Sequence, residues 1–82
     1  MSRHCVYILE SLSRPNTFYT GFTDLGIDER LAYHNRGKVA HAARNVPWQV
    51  KTYISFNDRD RALAFERYLK SHSGRAFAAK RL

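Results

Sequence analysis

Length and charge set the first limits on this protein. Its 82 residues suffice for one small domain, predicted over residues 1–82, and leave no room for a second. Lysine and arginine number 14 against 7 aspartates and glutamates, so the formal charge is +7 and a polyanionic partner is favoured. No apolar run reaches membrane-spanning length, and the first residues have too short an apolar run and no cleavage site for a signal peptide, so we expect a soluble, cytoplasmic protein with no membrane partner.

The first two predicted elements are strands joined by a turn. "HCVYILES" and "NTFYTGFT" are rich in β-branched and aromatic residues, and the turn-forming "LSRPN" lies between them. If the turn centres near Ser13, Tyr7 and Tyr19 lie opposite each other in this hairpin. Ordinary cross-strand aromatic packing explains such a pair as readily as a catalytic role does. Cys5, the only cysteine, is predicted to be a small core residue.

Gly21 stands inside the second predicted strand, where glycine contributes least. It provides no side chain to pack and loses more backbone entropy than other residues. A glycine in a strand therefore indicates either a bulge or the close approach of another group to the backbone. We keep it as a candidate binding position.

A short helix is predicted in "DLGIDERLAYHNRG". Acidic residues stand at its start, and Gly37 stands where a C-terminal cap is expected. The helical spacing places an arginine and a histidine on the face that packs against the protein, in the series Ile27, Arg30, Leu31 and His34. An arginine at the rim of the core and a histidine with ordinary partners would also satisfy this pattern.

A basic loop and a third strand follow. The loop "KVAHAARNVPWQV" carries Lys38, His41 and Arg44, which face either solvent or the phosphates of a ligand. Trp48 is predicted to belong to the core. In "VKTYISF", Val50, Thr52, Ile54 and Phe56 alternate with more polar residues, and this alternation predicts a strand with those four side chains on one face.

The second helix is predicted in "DRDRALAFERYLKSHSG", with Asp58 as its N-cap. Glu66 falls within the apolar arc of this helix, close to Ala62 and Leu63. A carboxylate in that position needs a salt bridge, a hydrogen-bonded network or a metal ion. The tail "GRAFAAKRL" is predicted to form one or two further helical turns.

These elements predict an α+β fold, a three-stranded antiparallel sheet flanked by two to three helices in the order β-β-α-β-α, with a short last helix. The residues that need explanation are Tyr7, Tyr19, Gly21, Arg30, His34 and Glu66.

Four segments, "CVYIL", "FYTGFTD", "ERLAYHNRG" and "AFERYLK", resemble the GIY-YIG nuclease family over nearly the whole chain. In that family a Gly-Ile-Tyr strand precedes a Tyr-Ile-Gly strand, an Arg-x-x-x-His helix and a later helical glutamate. The type most similar to this chain is the small standalone domain, which resembles the amino-terminal nuclease domain of the bacterial excision-repair machinery. The chain departs from the motifs at Cys5, Val6 and Thr20, and it keeps both tyrosines and the glycine.

The resemblance implies a divalent-metal-dependent DNA endonuclease, structure-specific in DNA repair or recombination, with no organic cofactor. Its implied catalytic residues are Tyr7, Tyr19, Arg30, His34 and Glu66, and Glu66 would hold one Mg²⁺ or Mn²⁺. The tyrosine hydroxyls, the guanidinium and the carboxylate should converge on one side of the sheet, and a nearby cation should favour ionised Tyr7. Nucleic acid would be bound by Gly21, Lys38, His41 and Arg44. The alternative is a non-catalytic nucleic-acid-binding module of the same fold.

Overall fold

The fold is a three-stranded antiparallel sheet with helices on both faces, as a computed structural model of residues 4–82 shows. Of the predicted domain, residues 1–3 lie outside the described part. The elements are β1 (His4–Ser11), β2 (Phe18–Thr23), α1 (Ile27–Asn35), β3 (Trp48–Phe56), α2 (Arg59–Leu69) and α3 (His72–Arg81). The strands are ordered β2-β1-β3, and the predicted α+β class is confirmed. No helix in the described part is long and apolar enough to span a membrane.

Strand β1 is the centre of the molecule, because its side chains are buried on both faces of the sheet. On one face Val6 and Ile8 pack against residues of α2. On the other, Tyr7 and Leu9 pack against Trp48 and the residues around α1. Two cores therefore share a single strand, which accounts for its nearly continuous apolar sequence. Cys5 is 6% exposed and belongs to this interior, as predicted.

The register of the β1–β2 hairpin differs from the predicted one. Tyr7 lies opposite Gly21, two residues away from the predicted partner Tyr19. The loop is closed by a hydrogen bond from the Ser11 amide to the Thr17 carbonyl (2.9 Å), which centres the turn one residue later than the prediction. Moving the centre of a hairpin by one residue moves every cross-strand pair by two, so the tyrosines are diagonal neighbours.

Strand β3 begins at Trp48 because α1 holds its first residue. The Asn35 side chain accepts a hydrogen bond from the Trp48 amide (2.6 Å) and donates one to the Trp48 carbonyl (3.1 Å). The indole nitrogen donates to the carbonyl of Ala42 (3.1 Å), and Trp48 is 3% exposed. Its predicted place in the core is confirmed.

A bulge in β3 changes which residues share a face. Ile8 pairs with Thr52 and Leu9 pairs with Val50, so Lys51 is an extra residue without a partner on β1. Val50 consequently packs in the core on the α1 side. The prediction that Val50 shares one face with Thr52, Ile54 and Phe56 is wrong, because one inserted residue reverses the alternation.

Helices α2 and α3 meet at a tight corner. Asp58 caps α2 as predicted, since its side chain accepts hydrogen bonds from the amides of residues 60 and 61. Ser71 caps α3 by accepting a hydrogen bond from the Gly74 amide (3.1 Å). Helix α3 thus begins at His72, before the predicted tail. A Cβ atom on buried Gly74 would overlap the carbonyl oxygen of Tyr68 at the end of α2.

We expect Gly74→Ala to lower the free energy of unfolding by about 1–3 kcal/mol, because the methyl group would push against backbone that cannot turn aside. Urea denaturation measures this difference. Gly26→Ala is the control, because its added Cβ would find only the Glu29 carboxylate at 3.7 Å, and we expect a cost below about 1 kcal/mol. Equal costs for the two variants would contradict this description of the corner.

Candidate active site

The Tyr7 hydroxyl joins two residues of α1 in a hydrogen-bonded chain. The Arg30 Nε donates to the Tyr7 oxygen (3.1 Å), and His34 Nε2 lies 2.9 Å from the same oxygen. Arg30 and His34 are four positions apart and therefore share one face of the helix, as the sequence predicted. Because a guanidinium can only donate, the Tyr7 oxygen accepts from Arg30 and its own proton is available to a neutral His34 Nε2.

His34 is fully buried. It is 0% exposed, and its second ring nitrogen, Nδ1, has no hydrogen-bond partner in the described part of the protein. Burial lowers the pKa of His34, and the positive charge of Arg30 lowers it further. The imidazole is therefore neutral near pH 7, which suits it to accept a proton from the Tyr7 hydroxyl.

Tyr7 is also buried, with 1% of its surface exposed. Burial raises the pKa of the Tyr7 hydroxyl and outweighs Arg30, whose hydrogen bond and charge lower it. The charges of Tyr19 and Glu66 raise the Tyr7 pKa further. Arg30 is thus the nearby cation that favours the ionised form, as expected, but in the protein without ligands burial has the larger effect and the pKa is raised overall.

Gly21 provides the space that the Tyr7 ring occupies. A Cβ atom at Gly21 would lie 2.5 Å from the Tyr7 hydroxyl oxygen and 2.6 Å from the adjacent ring carbon. The group that approaches this part of the backbone is thus the Tyr7 side chain itself. The close approach predicted from this glycine is present, and the group that makes it is the phenol of the opposing strand.

Tyr19 extends the buried cluster towards the surface. Its ring centre lies 4.7 Å from that of His34 and 6.4 Å from that of Tyr7. It also contacts Trp48 edge-on, with the ring centres 6.2 Å apart. Tyr19 is partly exposed, so among the aromatic residues of this cluster it is the one that a bound molecule can reach.

Glu66 comes from the other side of the sheet. Helix α2 packs Ala62 and Leu69 against the face away from α1, so Glu66 and the candidate residues of α1 are carried by helices on opposite faces of the sheet, and the convergence of their side chains stays a prediction. The Glu66 side chain is 16% exposed and forms an ion pair with Lys70 (2.9 Å). Its charge nevertheless contributes to raising the Tyr7 pKa, so the two groups interact electrostatically.

The residues present fit a metal ion held through one carboxylate. No cluster of three potential metal ligands occurs among the described residues, and Glu66, the ligand that the family resemblance implies, offers a single carboxylate. Its carboxylate is partly accessible, and a cation, the Lys70 ammonium, already lies against one oxygen. Mg²⁺ is commonly bound through one or two carboxylates, with water and substrate phosphate as its other ligands. This donor set therefore suits Mg²⁺ or Mn²⁺.

Basic side chains occur both in the predicted loop and in a nearby groove. Lys38, His41 and Arg44 are all exposed. Only His41 lines the groove of about 870 Å³ that Tyr19 borders, whereas Lys51, Lys70 and Arg75 also line it. Lys70 could have been found from the sequence, because it follows Glu66 by four residues in a helix. No sequence pattern indicated the other two.

Comparison with known proteins adds one finding. The family model described as the GIY-YIG catalytic domain matches residues 3–80 of the 82-residue chain. The match covers every strand and both helices that carry the candidate residues. No curated protein matches the chain.

The lowered pKa of His34 predicts that mild acid destabilises the protein. Below the ordinary histidine pKa of about 6.5, the unfolded chain binds a proton that the folded protein does not, so the free energy of unfolding should fall by up to about 1.4 kcal/mol per pH unit until the folded pKa is reached. Well above the ordinary histidine pKa, His34 is neutral in both states and should contribute no further pH dependence. Chemical denaturation between about pH 7.5 and pH 5 measures the slope.

His34→Gln should flatten this dependence, because it removes the titrating group. His41→Gln, which changes an exposed histidine, should leave the slope as in the wild type. A slope unchanged in His34→Gln would show that another group causes the acid sensitivity.

Proposed function

The chain belongs to the GIY-YIG family of nuclease domains, and from this premise we propose that it is a divalent-metal-dependent DNA endonuclease that hydrolyses phosphodiester bonds. The observation that carries the proposal is the buried hydrogen-bonded chain from Arg30 through Tyr7 to His34. A buried chain that joins a cation, a phenol and a neutral imidazole is costly to maintain as a structural feature alone. We propose a structure-specific role in DNA repair or recombination in the cytoplasm.

Arg30 is the proposed phosphate clamp. It is partly exposed, its Nε donates to Tyr7, and its guanidinium lies over the Tyr33 ring at 4.8 Å. In the described part of the protein its hydrogen bond uses Nε, so the terminal nitrogens can donate to two phosphate oxygens. The bonds that orient the guanidinium thus leave its outer edge for the substrate.

Tyr7 and His34 form the proposed proton path. In the reaction, Tyr7 would take a proton from the attacking water while its own proton passes to neutral Nε2 of His34. Arg30 would stabilise negative charge on the phenol oxygen during this transfer. Tyr19, packed against His34, would position the water and the scissile phosphate.

Glu66 would hold the Mg²⁺ or Mn²⁺, which supplies positive charge to the phosphate and the leaving oxygen when bound. Lys70, which pairs with the same carboxylate, would have to move aside. Lys38, His41 and Arg44 are proposed to contact DNA phosphates from the exposed loop, and Gly21 to admit the Tyr7 phenol to the site.

One observation favours the alternative, a nucleic-acid-binding module that does not cleave. Tyr7 is 1% exposed and its pKa is raised, and both properties oppose its action as a base on a water molecule. Under this alternative the chain from Arg30 to His34 only orients the guanidinium towards DNA. The two functions make different predictions. A nuclease should lose DNA cleavage when the Tyr7 hydroxyl is removed, whereas a binding module should bind DNA without cleaving it.

We expect Tyr7→Phe and Glu66→Gln each to reduce cleavage by about 100-fold or more, because each removes a group proposed to act on the reacting atoms. DNA affinity should stay within about twofold, since neither change removes a positive charge. Cleavage of plasmid and branched DNA with Mg²⁺ or Mn²⁺ is the measurement, and circular dichroism shows whether each variant is folded.

Two matched controls accompany these variants. Tyr53→Phe removes the hydroxyl of an exposed tyrosine directly opposite Tyr7 on β3, and Glu29→Gln removes an exposed carboxylate of α1. Both should cleave like the wild type. If Tyr7→Phe and Glu66→Gln are folded and cleave DNA as well as the wild type does, the proposed site is wrong. If the wild type cleaves no form of DNA that it binds, the non-catalytic alternative holds.

Arg30→Lys should reduce kcat by about 100-fold with less than about a threefold change in DNA affinity, because lysine keeps the charge but loses the planar pair of donors and the Nε bond to Tyr7. Arg36→Lys is the control, since Arg36 is exposed near the same Tyr33 ring at 6.0 Å. An equal loss of kcat in both variants would contradict a specific role for Arg30.

A further inference from the structure

A groove runs along the outer strand β2 beside the proposed catalytic residues. Its volume is about 870 Å³, and its walls come from β2, from the bulge of β3, from the end of α2 and from α3. We call it the lateral groove and define it by the lining residues that matter here, Phe18, Tyr19, His41, Lys51, Lys70 and Arg75.

The lining of the lateral groove is cationic and therefore favours an anion. Three of its side chains, Lys51, Lys70 and Arg75, carry permanent positive charges and come from three different elements. None of the described residues that line it is acidic. The bulge that inserts Lys51 into β3 brings its ammonium to 5.2 Å from the centre of the Phe18 ring. Cations gathered on one concave surface raise the local concentration of a polyanion.

The lateral groove also presents an aromatic surface. Phe18 lines the groove and is 47% exposed, whereas the other aromatic residues of β2 are less exposed. Unpaired bases stack on exposed aromatic rings while their phosphates follow neighbouring cations. A duplex keeps the faces of its bases stacked inside and offers phosphates alone. The combination of a half-exposed ring with three cations therefore favours a single strand.

Two residues connect the lateral groove to the proposed catalytic site. Tyr19 lines it and packs against His34 at 4.7 Å between ring centres. Lys70 lines it and pairs with Glu66 at 2.9 Å. A metal ion held by Glu66 would displace the Lys70 ammonium from that carboxylate. Because Lys70 also lines the lateral groove, its ammonium would then be available to a phosphate bound there.

We propose that the lateral groove binds a single-stranded segment of nucleic acid, with a base on Phe18 and phosphates on Lys51, Lys70 and Arg75. Its position next to the scissile phosphate rests on the proposed function. The substrate would then be DNA with an unpaired strand adjoining the cleavage point.

Fluorescence anisotropy in EDTA, without cleavage, tests the groove directly. The probes are a labelled oligothymidylate and a blunt duplex of equal length, titrated at several salt concentrations. The wild type should bind the single strand at least about fivefold more tightly than the duplex, the gain expected from one stacked base. Phe18→Ala should remove most of that preference.

Lys51→Ala and Arg75→Ala should each weaken single-strand binding about fivefold near 0.1 M salt, since each phosphate contact contributes a slope of about 0.7 in log K against log salt. The slope should fall by that amount in each variant. Arg61→Ala is the matched control: it removes a cation that is 82% exposed and lies outside the lateral groove, so its effect should be below about twofold.

The proposal is overturned if the duplex binds as tightly as the single strand. It is also overturned if Lys51→Ala and Arg75→Ala bind like Arg61→Ala while circular dichroism shows that they are folded. Two groove variants on different elements are used so that one misfolded variant does not decide the result.

Cleavage assays separate this proposal from the proposed function. With Mg²⁺, Arg75→Ala should raise KM for a duplex with an unpaired tail and leave kcat within about twofold, because it weakens binding away from the reacting atoms. If the wild type prefers single strands but never cleaves DNA, the proposed nuclease function is refuted and the proposed binding in the lateral groove stands. A nuclease whose groove variants bind and cleave normally would refute the groove alone.

Discussion

The Tyr7 hydroxyl is the point on which the rest of the site depends. It can lie over β2 and reach α1 because the residue opposite it, Gly21, has no side chain. From there it meets both Arg30 and His34, and the helix is tied to the central strand by a phenol instead of by apolar contacts alone. Burial keeps both the phenol and the imidazole neutral, since it raises the pKa of one and lowers that of the other. The same geometry thus orients the guanidinium and lines up the three groups of the proton path that we propose.

The sheet is narrow enough for groups on its two faces to act on each other. Arg30 and His34 come from α1 on one face, whereas Glu66 comes from α2 on the other, yet the charge of Glu66 raises the Tyr7 pKa. Strand β2 is an outer strand of the sheet. Tyr19 lies on that strand, in contact with His34 and beside the lateral groove. A site of this kind needs only a small domain, because the three-stranded sheet is the one layer between α1 and α2.

Only the folded protein shows on which surface the basic side chains lie together. By sequence, the loop that carries Lys38, His41 and Arg44 was the natural place for phosphate contacts. In the structure, three other cations line one groove: Lys51 of β3, Lys70 at the end of α2 and Arg75 of α3. Lys70 already serves as the partner of Glu66, which links the nucleic-acid surface we propose to the metal ligand we propose. Charge counts predict the class of partner, and the surface that meets it is set by packing.

Local patterns in the sequence determined the elements, the family and most of the core. The β-branched and aromatic composition of β1, the helical spacing of Arg30 with His34, and the Asp58 cap are short-range properties, and each appears in the structure. The hairpin register, the bulge at Lys51 and the side of the sheet taken by α2 were decided only by the tertiary structure. A single residue in a turn or bulge moves every later side chain, and such insertions depend on hydrogen bonds that the whole fold must satisfy. The neutrality of Tyr7 belongs to the same group, because the depth of burial that outweighs Arg30 exists only once both faces of the sheet are covered.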